Sequence, residues 1–114
     1  MTAPCDATTS MFGAFNLRPG RDLSTFKPAF EAFCTHLHEV GHLDAWRLWE
    51  RAAHEGYNAG FPDVSVMLEL CFHDHQASLD AWDYIEGNTQ PMRRLHHALI
   101  GQITDSIFIL CHAR

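Results

Sequence analysis

Apolar residues along the chain recur with two different periods, and the changes of period mark out the elements. Residues 11–17, MFGAFNL, read as a short strand, closed by Arg18, Pro19 and Gly20 as a turn signal. From Asp22 or Ser24, either of which can cap a helix, Phe26, Phe30, Phe33, Leu37 and Val40 recur at steps of four and three. That spacing is one helical face, with Pro28 expected in the first turn and Gly41 where the helix stops. In DAWRLWERA (44–52), Trp46 and Leu48 alternate with Arg47 and Trp49, and a polar, glycine-bearing loop follows. VSVMLELCF (64–72) places Val64, Val66, Leu68, Leu70 and Phe72 on one face and Ser65, Met67, Glu69 and Cys71 on the other. Asp74 can cap a helix expected to turn Leu79, Trp82 and Ile85 inward, and Gly87, Asn88 and Pro91 interrupt it. Met92, Leu95, Leu99 and Ile103 form the stripe of a further helix, and SIFILC (106–111) is β-branched enough for a last strand.

The order is strand, helix, strand, strand, helix pair, strand. A βαβ crossover is right-handed and makes its two strands parallel, so this order predicts an α+β, ferredoxin-like βαββαβ sandwich. Its four-stranded antiparallel sheet carries the helices on one face. The other face, rich in Phe, Met, Cys and Trp, stays open to water in a monomer, and a patch of that kind marks an interface. The expected assembly is a homodimer. One domain over 11–114, preceded by a disordered N-terminal tail over 1–10, accounts for the whole chain.

Composition narrows the partners. At 114 residues the chain can bury one core, and 46% of it is hydrophobic. Eight basic against fourteen acidic residues leave a formal charge of −6, with Lys27 as the one lysine and Arg93–Arg94 as the densest basic pair. Phosphate backbones reward clustered basic residues, so nucleic acid is not an expected partner. No run approaches the ~18 apolar residues of a membrane span, and the first ten residues lack the apolar stretch of a secretory signal. A cytoplasmic setting is expected, with no membrane partner. Cys5, Cys34, Cys71 and Cys111 are irregularly spaced without a CxxC pair, and read as free thiols rather than a disulfide framework.

Two such sheets packed face to face would enclose a small barrel. Here the chain resembles the dimeric α/β-barrel superfamily, in element order over 11–112 and in FNLRPGRD after the first strand, WRL in the second, and RLHHAL before the last. It looks most like an uncharacterised bacterial branch, in which a similar NL, basic residue, PG string ends a strand and a histidine lies in the last helix. The resemblance implies a ligand between sheet and helices or inside the barrel. It also implies a range of activities, among them cofactor-light monooxygenases, haem-handling enzymes, lactone isomerases and stress-responsive proteins. The expected role is binding, or monooxygenase- or isomerase-like turnover, of a small hydrophobic molecule, with no cofactor. The polar residues on the helix-free face, Asn16, Arg47 and Glu69, are the ligand-binding candidates, joined by His96 beside the stripe of its helix. Arg47 and Glu69, on neighbouring strands, can equally form a structural ion pair.

One string points elsewhere. His38, Glu39, Val40, Gly41 and His42 spell HExxH, in which two histidines one turn apart hold zinc and the glutamate activates water. This is the alternative: a small zinc metallohydrolase. Against it, His38 and His42 point roughly 120° and 160° from the apolar centre of their helix at about 100° per residue. Gly41 puts His42 at the helix end, and Ala45 and Leu48 stand where an extended zinc motif needs Gly and His. HDH at 73–75 is explained by Asp74 as a cap. GxSxG, GxGxxG and phosphate-binding glycine loops are absent, and a structural or regulatory dimer without ligand is the third possibility.

Overall fold

The structure, a computed structural model, describes residues 8–114. Strand β1 (Thr9–Leu17) leads to helix α1 (Leu23–Glu39), then β2 (Ala45–Glu50) and β3 (Val66–Phe72), helices α2 (His75–Glu86) and α3 (Met92–Ile100), and β4 (Ile103–His112). The strands lie in the order β2-β3-β1-β4, and every adjacent pair is antiparallel. This is the expected βαββαβ, ferredoxin-like sandwich. Strand β1 begins at Thr9, two residues before the apolar alternation, so Thr9 and Ser10 belong to the sheet. Residues 1–7 of the expected tail lie outside the described residues.

Helix α1 starts at a capping box. The Asp22 carboxylate accepts from the Thr25 amide at 3.1 Å while the Thr25 hydroxyl accepts from the Asp22 amide at 3.1 Å, which satisfies two of the free donors of a helix start. The Ser24 hydroxyl and Thr25 amide hold the Asp22 carboxyl below its ordinary range. Because the cap is Asp22 rather than Ser24, Pro28 sits two residues deeper than expected, in the second turn of the helix. It lacks the N–H that would otherwise reach back four residues to the Ser24 carbonyl. The apolar face of α1 packs as predicted. Phe15 of β1 meets Phe26 at 5.1 Å between ring centroids and Phe26 meets Phe30 at 5.9 Å, with Leu37 and Met92 wholly buried beside them. From β3, Val66, Leu68, Leu70 and Phe72 complete this core.

Helix α2 corrects the sequence expectation. Asp74 does cap it, accepting from the Ala77 amide at 2.8 Å. Its buried residues, however, are Ser78 and Ala81, while Leu79 and Trp82 are 43% and 65% exposed. The buried stripe runs through small side chains, which lets the helix backbone approach the sheet closely. The larger residues one position along are turned to water. Ile103, expected in the stripe of α3, instead opens β4.

The cysteines also depart from expectation. Cys34 and Cys111 are free, but Cys71 is disulfide-bonded. Burial, with Glu31 nearby, pushes the Cys34 thiol far up, which makes it an inert core group.

Strand β4 is the least covered element. A register shift between Ala14 and Asn16, with Asp105 at φ 57°, makes a bulge near its start. Beyond the bulge, Ile107, Phe108, Ile109 and Leu110 are 47%, 55%, 62% and 38% exposed, so both faces of this edge strand are apolar and bare. No described helix is long and apolar enough to cross a membrane.

Candidate functional site

Strand alternation sorts side chains between the two faces of the sheet. Gly13, Phe15, Trp46, Leu48, Leu68 and Leu70 face the helices. Phe12, Arg47, Trp49, Met67, Glu69, Ile107 and Ile109 face the other way. On this helix-free face Arg47 lies directly opposite Glu69 across the β2–β3 pair, and Phe12 lies opposite Glu69 across β1–β3. The Arg47 Nε is 4.0 Å from Glu69 Oε1, and the guanidinium also lies 5.7 Å from the centre of the Trp49 ring. Glu69 is only 9% exposed, and its second oxygen accepts from the Ser10 hydroxyl at 3.0 Å. A buried carboxylate held by a hydroxyl and an arginine, in an otherwise apolar surface, is the polar centre of this face. It can orient a ligand bearing a hydrogen-bonding group.

Two of the four predicted site residues therefore come together, and two do not. The Asn16 side chain is engaged structurally: its Nδ2 donates to the Asp63 carbonyl at 2.8 Å and to Asp105 Oδ2 at 3.2 Å, and its Oδ1 accepts from the Ser65 amide at 3.0 Å. It ties β1 to the approach to β3 and to the bulge of β4. His96 lies in the helix layer, its ring 5.9 Å from Phe33 of α1, on the other side of the sheet from Glu69. Burial lowers its pKa below 6.5, with Glu86 opposing and His97 assisting. Ser10 is the member sequence reasoning missed. It lies two positions before Phe12, so extending the period-two alternation backward would have put it on the same face.

The HExxH string does not converge. Glu39 is the last helical residue, Val40 the C-cap, and Gly41 adopts φ 85°, so His42 follows the helix rather than extending it. The His38 Nδ1–H donates to the Leu43 carbonyl at 2.7 Å and its ring lies 5.9 Å from Trp46. His42 instead lies 4.9 Å from the Tyr84 ring, whose hydroxyl pairs with His36 Nε2 at 2.7 Å. Among the described residues no three His, Cys, Asp or Glu side chains gather as a metal site requires.

Two clefts flank the end of the sheet where β2 passes into the β2–β3 connection. One, of about 520 Å³, is lined on the helix side by Asn16, Arg21, Asp22, Leu23 and Arg51. The other, of about 370 Å³, lies between the connection and the helix-free face, and is lined by Trp49, Tyr57, Phe61, Val64 and Met67.

Comparison with known proteins supports the same architecture. The chain has the ferredoxin-like fold shared by dimeric α/β-barrel proteins. A variant of SnoaB, a cofactor-independent oxygenase from Streptomyces nogalater, superposes with a TM-score of 0.67 at 16% identity, covering 93% of this chain and 92% of that one. A hydroxynitrile lyase from Passiflora edulis gives 0.68 at 9% identity, over 97% and 96%. A dimeric ferredoxin-like protein of unknown function from Jannaschia gives 0.66 at 13% identity, over 94% and 100%. No protein-family model and no curated protein sequence matches the chain.

Proposed function

We propose that two copies of this chain associate through their helix-free faces and enclose a cavity that binds a small hydrophobic molecule. The observation that carries the proposal is the bare strand β4, where Ile107 and Ile109 face water on the helix-free face of the single chain, 47% and 62% exposed. An uncovered edge of this kind is a liability unless something covers it, and a second copy presents a matching surface. Solved neighbours described as dimeric support the same assembly. Glu69, Arg47 and Ser10 then lie inside an apolar enclosure, where a few convergent polar groups set ligand orientation. The HExxH string does not support a metal-dependent alternative, because His38 and His42 are directed to different partners.

An oxygenase and a lyase share this fold among the neighbours, so the reaction depends on each chain's own side chains. Here those side chains support binding. The test couples assembly to binding. The parent chain elutes as a dimer on gel filtration and binds the uncharged fluorescent probe N-phenyl-1-naphthylamine, whereas Ile109→Lys elutes as a monomer and loses the enclosed site. A parent that elutes as a monomer, or a variant that is monomeric yet keeps every site of the parent, contradicts the proposal.

A further inference from the structure

The connection between β2 and β3 spans residues 51–65, long enough that a structureless loop would be unusual in so small a domain. It is pinned from within. Arg51 Nη1 donates to the Pro62 carbonyl at 2.7 Å and to the Val64 carbonyl at 3.1 Å, while Asn58 Nδ2 donates to the Ala52 carbonyl at 2.8 Å. The Tyr57 amide donates to His54 Nδ1 at 2.9 Å, and the two rings lie 4.6 Å apart. These bonds hold the loop in one shape, yet that shape does not bury its aromatic residues. Tyr57 is 89% exposed, Phe61 46%, and Trp49 beneath them 47%.

An unstructured polar turn would join the strands at less cost, since exposed rings gain nothing from being held in place. Their arrangement does make a cleft of about 370 Å³, within the size range of small-molecule sites, with aromatic walls and Glu50, Arg51, His54, Asn58 and Ser65 as the polar residues of its lining. We infer that this cleft is a second ligand site, formed within one chain, that takes a flat aromatic molecule between the rings of Trp49, Tyr57 and Phe61. Flat rings stack offset or edge-on against such side chains, and a loop already held in shape has little order left to lose on binding. Every lining residue comes from the same chain, so the site forms without a second copy, although Trp49 and Met67 place it beside the face through which the copies associate.

Titration of N-phenyl-1-naphthylamine into the full chain tests it. Ile109→Lys, which removes the enclosed site, is expected to keep cleft binding, and Tyr57→Ser in that background weakens it about five-fold, the order expected from the loss of one ring contact. Phe61→Ser weakens it further. Because Tyr57 is almost fully exposed, its replacement leaves the fold intact, which circular dichroism verifies. Unchanged affinity in Tyr57→Ser and Phe61→Ser overturns the inference. So does cleft binding that appears in Ile109→Lys and is missing from the parent, because a second copy would then be the natural occupant. Failure of the dimer alone leaves the single-chain site in place, so the two proposals fail separately.

Discussion

Gly13 lies in the middle of β1, facing the helices, and its cross-strand partner is Phe108 of β4. A Cβ added at Gly13 would fall 2.6 and 2.7 Å from two carbons of the Phe108 ring and 3.4 Å from a Leu68 methyl. Carbon atoms pack at about 3.5 to 4.0 Å, so the ring must retreat by roughly 1 Å. Phe108 is 55% exposed, which leaves it room to swing outward. The cost is the part of the ring now packed over the strand. A phenylalanine that buries somewhat under half of ~200 Å² gives up at most about 2 kcal/mol at ~25 cal/mol/Å². Alanine in a strand recovers about 0.5 to 1 kcal/mol that glycine gives away in backbone entropy. Gly13→Ala should therefore destabilise the chain by about 1 kcal/mol. In a Phe108→Ala background the obstruction is gone, and the same change should stabilise by about 0.5 to 1 kcal/mol. Urea unfolding of all four chains at one fixed concentration, followed by circular dichroism, gives the cycle. An equal effect of Gly13→Ala in both backgrounds refutes the role assigned to Phe108.

Two further outcomes follow from the charged groups. Burial lowers the His96 pKa below 6.5, so between that lowered value and 6.5 the unfolded chain binds more protons, and stability falls as the pH drops through this window. Urea midpoints at about pH 7 and pH 5 should therefore differ more for the parent than for His96→Gln, and parallel losses would remove His96 as a contributor. At the polar centre, the Arg47 side chain is 42% exposed and 4.0 Å from Glu69, so Arg47→Ala should cost under about 1 kcal/mol. Glu69→Ala removes a buried acceptor from Ser10 as well and should cost more, roughly 1.5 to 3 kcal/mol. Equal unfolding midpoints for the two variants would contradict this asymmetry.

The architecture was legible because β2, β3 and α1 repeat their apolar residues with one clear period, while β4 is a continuous, β-branched apolar run. Phe26, Phe30, Phe33 and Leu37 could only line one face of a helix, and Val66 to Phe72 could only alternate. Helix α2 was misjudged where size and burial parted company. Leu79 and Trp82 are the large apolar residues, but Ser78 and Ala81 allow the close approach that sets the buried side. Arg47 and Glu69 were found because cross-strand neighbours on one face follow directly from register. Ser10 was lost to an assumption that structure begins with the first large apolar residue. Asn16 shows a different limit: its position on β1 was visible, but its bonds to Asp63, Ser65 and Asp105 depend on a loop and a bulge that no periodicity encodes. The aromatic cleft escaped notice for the same reason, since Tyr57 and Phe61 lie in a connection with no repeat.

The central claim is that the helix-free face, on which Ile107 and Ile109 of β4 are exposed, is covered by a second copy. Sedimentation equilibrium of the parent chain at tens of micromolar measures this directly. The expected mass is twice the 13.0 kDa of one chain. A single species at the mass of one chain across that concentration range would contradict it.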